Sequence, residues 1–486
     1  MKHLNSSLKY FSFPSLPLLP STIFVVEGGP FEAMSCRWSR VIIVSLMLLP
    51  LIASAGSIVK NLPGYSGDLP FKLETGYIGV GEENEVQLFY LFVESQRNPS
   101  IDPLLLWLVG GPGCSALSAF FFENGPVVMS NNYSGNIPKL ELNPYAWTDT
   151  LNMMYIDIPV GTGFSYSETQ EGYNSTDVLS VDHAYEFLQK WFIDHPKFRS
   201  NPFYIGGGSY SGKITGPLVQ KVYEGYMARH MPLIHIKGYV LASPSVDTYH
   251  DQNMRVLFAY QRSLIPETLY KSMKENCNGN YVVIDPENTK CVSDHEAYSE
   301  LVRYIYDQQI MEPLCITTPA VNQPILQPFQ APPSFWCRSY YHILVNTWAN
   351  DEDVRKALHI RQGTKEEFLR CNKTMAYTTT RLNTAEHYRN LTNANIDALV
   401  YCADLDMSIP HLATQHWIKS FNMSIKDKWR AWFVEGQVAG YTEIYKTKKD
   451  HYLTYVIVKG AGHVAQTFKP KEVYHMINRW FSFSLI

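Results

Sequence analysis

The sequence contains no CxxC pair, no excess of basic residues, no long run of one charge sign, no low-complexity tract and no internal repeat. Without paired cysteines, a zinc site of the ribbon or finger type is excluded. A formal net charge of −4 with no basic stretch removes the electrostatic footprint of a nucleic-acid binder. Long apolar runs are also missing. The longest, from Val41, is too short to span a bilayer comfortably, and Pro50 interrupts it.

What is present is a chain of 486 residues with 45% apolar and 18% charged content, enough for one large α/β domain with insertions or for two or three ordinary domains. The stretch "CRWSRVIIVSLMLLPLIASAG" runs from two arginines through an apolar segment to Ala53-Ser54-Ala55, the order of a secretory signal. Met34 stands just ahead of it, so Met34 is expected to be the true start and residues 1–33 an extension. A secretory signal cleaved near residue 55 leaves no stable membrane anchor and predicts a vacuolar or extracellular destination. Secretion also changes how the eight cysteines are read. Cys36 falls in the signal, and the other seven leave one free thiol if three bridges form. Asn-x-Ser/Thr sequons at Asn132, Asn174, Asn372, Asn390 and Asn422 fit a glycoprotein, with Asn5 upstream of the signal.

Apolar runs alternate with helical patterns. Residues 86–95, 103–109, 152–159 and 234–244 read as strands, and so does "FYIGG". "STDVLSVDHAYEFLQKWFIDHP" reads as a helix capped by Ser175 or Thr176 and ended by Pro196. Strand and helix in alternation predict an α/β protein with a mostly parallel sheet and helices on both faces. From about residue 246 to 394 the alternation weakens, and that stretch holds five of the seven remaining cysteines and a proline-rich piece, "PAVNQPILQPFQAPPS". The expected organisation is therefore a leader over 1–55, a first half of the core over 56–245, an inserted disulfide-stapled cap over 246–394, and a second half over 395–486.

"YIGGGSYSGK" places Ser209 between a strand and a helix. A nucleophile on such a turn sits at strained backbone angles and needs small neighbours two residues away, as Gly207 and Ser211 are. The strict G-x-S-x-G pattern fails by one place, since the next glycine is Gly212. A plain glycine-rich loop is the competing reading of this stretch taken alone. Downstream, "ALVYCADLDM" puts Asp404 and Asp406 beyond one strand, and "YVIVKGAGH" puts His463 beyond the next. The order serine, aspartate, histidine at strand ends is that of a hydrolase triad. Spacing leaves the choice between the two aspartates open. "WLVGGPGCS" offers bare backbone at Gly110-Gly111 for an oxyanion, with the N–H of Tyr210 as a second donor.

These stretches, with "WLVGGPGCSALSAFFFENGPV", "NPYAWTDTLNMMYIDIPVGTGFSYS", "CADLDMSIPHLATQHWI" and "VKGAGHVAQTFKP", resemble the plant serine carboxypeptidase-like proteins of the serine carboxypeptidase family, peptidase family S10. The resemblance runs from about residue 59 to the C-terminus. It implies an α/β-hydrolase fold, a triad of Ser209, Asp406 and His463, and an oxyanion hole from Gly111 and Tyr210. It implies the bridges Cys114–Cys371, Cys277–Cys291 and Cys315–Cys337, with Cys402 free. It implies no metal and no organic cofactor.

Members that trim peptides hold the C-terminal carboxylate with an Asn in "WLNGGPG" and a Glu just before the nucleophile. Here those positions are Val109 and Gly208, while Trp107 and Glu123 of the same pocket remain. Losing two hydrogen-bonding partners costs about 1–3 kcal/mol each. The chain is more similar to the acyltransferase branch, which moves acyl groups from 1-O-β-glucose esters to alcohol acceptors. That branch usually has Asp before the nucleophile, and its "GH-x-A-P-E-Y-K-P" is altered here to His463-Val464-Ala465-Gln466-Thr467-Phe468-Lys469-Pro470. The expected partners are thus an acyl-glucose donor and an alcohol acceptor. The rival expectations are a serine carboxypeptidase and an inactive hydrolase fold that serves as a binding module.

Overall fold

Six strands form the parallel centre of one mixed sheet. In spatial order they are Asn152–Ile156, Leu104–Leu108, Phe203–Gly208, Ile236–Ala242, Asp397–Ala403 and Tyr452–Val458. This is a computed structural model, and it describes residues 56–131, 133, 135–315 and 337–486. The leader, Asn132 and the proline-rich piece lie outside the described residues. The central strands are mostly apolar and buried because both faces of the sheet are covered. On one face the helices Asp177–Asp194 and Gly212–Met227 bury Phe187, Trp191, Leu218 and Val222. On the other face Leu117–Phe122, Arg338–Ala349 and Pro470–Phe481 bury Phe121, Trp348 and Met476.

Antiparallel strands flank this centre. Leu73–Val80 and Val86–Val93 extend it on one side. Gln437–Lys446 and Ser424–Val434 extend it on the other as a long hairpin. The arrangement is an α/β-hydrolase fold with a mixed sheet. Thr176, not Ser175, caps the long helix, its hydroxyl accepting from the N–H of Leu179. The helix Gly212–Met227 runs through Pro217, which lies in its second turn.

The strands Ile236–Ala242 and Asp397–Ala403 are neighbours in the sheet although more than 150 residues separate them in the chain. The interposed stretch contributes the helices Thr248–Gln261, Glu267–Asn276 and Thr289–Val302, which pack around Phe258, Met273 and Tyr298. Cys277–Cys291 staples two of them. The other bridges are Cys114–Cys371 and Cys315–Cys337. Cys402 is a buried free thiol. Among the described residues no helix is long and apolar enough to cross a membrane.

Candidate active site

The strand Phe203–Gly208 delivers Ser209 to the C-terminal edge of the sheet between two parallel neighbours. Ser209 has a φ of +61°, a left-handed conformation that costs a serine energy and is held here by its surroundings. Gly207 is required by close approach, since a Cβ there would lie 2.4 Å from the carbonyl oxygen of Leu108. Behind the turn, Ser211 Oγ donates to Gly208 O at 2.9 Å, and the N–H of Ser245 donates to Ser209 O at 2.9 Å. The elbow is therefore fixed by one side-chain and one backbone hydrogen bond, and the glycine-loop reading of the sequence gives way to a strained strand-to-helix turn.

The loop after Leu104–Leu108 packs directly on this elbow. A Cβ on Gly110 would lie 2.6 Å from Ser209 Cβ and 2.8 Å from Tyr210 N. This places the Gly110 backbone against Ser209 and the N–H of Tyr210, with Gly111 next to it on the same cavity, where an oxyanion would need its donors. Cys114–Cys371 and the buried carboxylate of Asp157 hold the loop. Asp157 accepts from Ser115 Oγ at 2.8 Å and from the N–H of Ala116 at 2.7 Å. Burial pushes the Asp157 carboxyl up to about 6 against those hydrogen bonds.

His463 follows Tyr452–Val458, and its Nδ1 lies 2.7 Å from Asp406 Oδ2. Asp406 is fully buried, and its Oδ1 accepts from the N–H of Ile409. Burial opposes charge on His463, but the charge and hydrogen bond of Asp406 outweigh it and hold the imidazole above its ordinary value. Asp404 turns elsewhere and accepts from the N–H of Gly460 at 2.6 Å. The geometry thus separates the two aspartates that spacing left equivalent. The inserted stretch backs this turn, with Gln308 O accepting from the N–H of His463 and Asp307 O from those of Met407 and Ser408.

Ser209, His463, Gly110 and Gly111 line one cavity of about 620 Å³. Val109, Gly208 and Glu123 line it too, whereas Trp107 is fully buried behind the wall. Trp107 acts on the cavity only by donating its Nε1 hydrogen to Glu123 at 3.0 Å, and Gln466 donates to the same oxygen at 2.8 Å. Burial raises the Glu123 carboxyl in spite of both. The sequence reading missed His342, Arg370, Gln308 and Ser118, which also line the cavity. Burial lowers both His342 and Arg370. No strand, glycine turn or motif marks His342 or Arg370 in the sequence, so no signal there would have found them. Asn372, one of the sequon asparagines, is a wall residue. It lines the cavity, and its Nδ2 donates to Gly161 O at 3.0 Å. Asn174, Asn390 and Asn422 are exposed. Among the described residues no group of three or more His, Cys, Asp or Glu could hold a metal ion.

The serine carboxypeptidase family, Peptidase S10, matches residues 63–483. The chain belongs to the serine carboxypeptidase family. It is 45% identical over 446 residues to Serine carboxypeptidase-like 10 of Arabidopsis thaliana, covering 90% of this chain and 97% of that one. With Serine carboxypeptidase-like 13 of the same plant the identity is 43% over 456 residues, covering 92% and 99%. KEX1(DELTA)P, a prohormone-processing carboxypeptidase from Saccharomyces cerevisiae, has a TM-score of 0.67 at 17% identity over 85% of this chain and 91% of that one, a likeness of fold. As a member of the serine carboxypeptidase family, the chain is a serine-nucleophile enzyme.

Proposed function

We propose that this family member transfers an acyl group from a 1-O-glucose ester to an alcohol acceptor. Ser209 is the nucleophile, and His463 takes the Oγ proton as Oγ bonds to the ester carbonyl. The N–H groups of Gly111 and Tyr210 receive the oxyanion. His463 then returns the proton to the departing glucose oxygen, leaving an acyl-Ser209 ester. The acceptor alcohol gives its proton to His463, attacks the acyl carbon, and releases Ser209 with the proton restored. Asp406 keeps Nδ1 of His463 protonated, so that Nε2 is the basic nitrogen, and supports its positive charge. The three disulfides fit passage through an oxidising compartment, and the vacuole or the cell exterior is the proposed destination.

The observation that carries this reading is the wall made by Val109 and Gly208. Neither side chain can hydrogen-bond a peptide carboxylate, and a Cβ on Gly208 would touch Val464 Cγ1 at 3.2 Å. A glucose ester needs no such anchor. A second reading, carboxypeptidase, is favoured by one feature. Arg370 puts a guanidinium on the same cavity, and a guanidinium can pair with a carboxylate.

Purified glycosylated protein decides between them when given a 1-O-acyl-glucose with a panel of alcohols, and a blocked dipeptide. The expected result is faster turnover of the acyl-glucose, with transferred ester beside free acid. Efficient dipeptide cleavage with no turnover of any acyl-glucose overturns it.

A further inference from the structure

Asp177 does not line the cavity, yet its carboxylate gathers the two segments that flank Ser209. It is the first residue of the helix Asp177–Asp194 and is fully buried. Its Oδ1 accepts from the phenol of Tyr210 at 2.8 Å and from that of Tyr377 at 2.6 Å. Its Oδ2 accepts from the N–H of Thr380 at 2.5 Å and of Arg381 at 2.7 Å, with Thr380 Oγ1 at 3.4 Å. Tyr210 is the residue after the nucleophile, and its own N–H is the second oxyanion donor. Tyr377, Thr380 and Arg381 belong to the stretch from Cys371 to Leu382, which forms one wall of the cavity through Asn372, Met375, Tyr377 and Thr379.

That wall is tied at both ends. The Cys114–Cys371 bridge joins it to the glycine turn. Lys213 Nζ donates to the carbonyl oxygens of Arg381 and Leu382 at 2.8 and 3.2 Å. Between these ends, the short pairing of Tyr377–Thr378 with Ser175–Thr176 brings the wall to the start of the helix. There the helix N-terminus favours a carboxylate. Burial and then the Asp177 charge keep both phenols protonated, so both stay donors. One anion thus joins the nucleophile elbow to the substrate wall.

We propose that Asp177 is a positioning residue for acyl transfer to Ser209: through the Tyr210 phenol it locks the oxyanion donor and the wall 377–381 into one unit. The bland alternative is a buried carboxylate that only supports the fold by capping the amides of Thr380 and Arg381. The two differ at the Tyr210 phenol, which a purely structural carboxylate does not need. A buried carboxylate exchanged for a neutral amide leaves some of its donors without an acceptor, and each such loss is expensive.

The proposal rests on Ser209 being the nucleophile, so its test reads that serine without any assumption about the acyl donor. The inactivation rate constant with a fluorophosphonate and the titre of reactive sites are measured for wild type, Asp177→Asn, Tyr210→Phe and the double variant. Asp177→Asn is expected to slow inactivation about tenfold with the titre retained, as misplacement of reacting groups does. Tyr210→Phe, which also removes the contact of the phenol with Thr379 Oγ1 at 2.9 Å, is expected to slow it in the same sense. The double variant is expected to be slowed by less than the product of the two single effects, because the two changes share the phenol–carboxylate bond. Should Asp177→Asn lose titre while the surviving sites react at the wild-type rate, the residue is structural and the proposal falls. Should Asp177→Asn not fold, Tyr210→Phe decides, and a wild-type rate there overturns the proposal. A wild type that never reacts instead removes Ser209 as nucleophile, and the proposal goes with it.

Discussion

Nδ1 of His463 lies 2.7 Å from Oδ2 of Asp406, a carboxylate with no solvent exposure. The pair fixes the tautomer that leaves Nε2 free, and it decides the pH behaviour. Burial alone would lower the imidazole, but Asp406 raises it above the ordinary value of about 6.5. Only neutral His463 can accept the Ser209 proton. The rate kcat/KM should therefore fall as pH drops through a value above 6.5. Asp406→Asn removes the raising cause, so the acid limb moves to lower pH while the plateau falls by about 10⁴-fold. A pH profile of ester turnover for both proteins checks this, and an unmoved acid limb would count against the pair. For folding the sign is opposite. A raised histidine adds stability that is fully present below its unfolded value and is lost as pH rises through the folded one.

Gly110 is expected to tolerate no side chain. The Cβ of Gly110→Ala would sit 2.6 Å from Ser209 Cβ and 2.8 Å from Tyr210 N. The glycine turn and the elbow must then separate, and a displacement near 1 Å costs about 10²-fold in rate. Steady-state kinetics beside a thermal melt would show a rate lost with most of the fold kept. Wild-type turnover in Gly110→Ala would refute the close approach.

The centre of the sheet and the three candidate residues at its strand ends were legible in the sequence for one physical reason. Buried parallel strands must be apolar on both faces, so their runs stand out, and each chemical residue follows one of them. The hairpin Ser424–Val434 with Gln437–Lys446 was not legible. Its outer strand is mostly exposed, carries Lys426, Lys428 and Arg430, and shows no clean alternation. Ile425, Trp429 and Phe433 are exposed on it. His342 and Arg370 escaped because the inserted stretch brings them to the cavity by tertiary packing alone. The position of the Asn372 sequon on the cavity wall was not legible either. A three-residue pattern says nothing about whether its asparagine faces water.

Asn372 is accordingly predicted to carry no glycan. Its Nδ2 is committed to Gly161 O, and its Oδ1 accepts from Thr374 N and Oγ1 at 3.0 and 2.9 Å. A sugar there would break the first bond and enter the cavity. Enzymatic deglycosylation in heavy-oxygen water, followed by peptide mapping, should mark Asn174, Asn390 and Asn422 and leave Asn372 unmarked. Label at Asn372 in active protein would refute this.

Cys402 should behave as an inert thiol in the native mature chain. It is fully buried, and burial pushes its thiol up to about 12. A thiolate reagent should find nothing before denaturation and one thiol per chain after it. Replacing Cys114 and Cys371 together by Ser should cost about 2–5 kcal/mol in a denaturant titration. It should also slow catalysis, because the same bridge holds the glycine turn to the cavity wall. A second native thiol in the wild type would contradict the pairing.

The choice between acyl transfer and peptide trimming should be reversible by substitution, but not at two positions alone. Val109 lines the cavity, so an Asn in its place can present its amide there. Gly208→Glu is different. Its Cβ would stand 3.2 Å from Val464 Cγ1 and 3.7 Å from Ala242 Cβ, so the carboxyl arm must leave between them. Val464 follows His463 directly, and pushing on it disturbs the base. The double variant Val109→Asn with Gly208→Glu is therefore expected to lose turnover of acyl-glucose without gaining much on a dipeptide. Adding Val464→Ala opens the path for the arm. Two restored hydrogen bonds at about 1–3 kcal/mol each then give a tenfold or greater rise in dipeptide kcat/KM over the double variant. Comparing the three proteins on both substrates separates the arguments. A large gain already in the double variant would show that Val464 is no obstacle. No gain in the triple variant would show that Val109 and Gly208 do not decide between the two substrates.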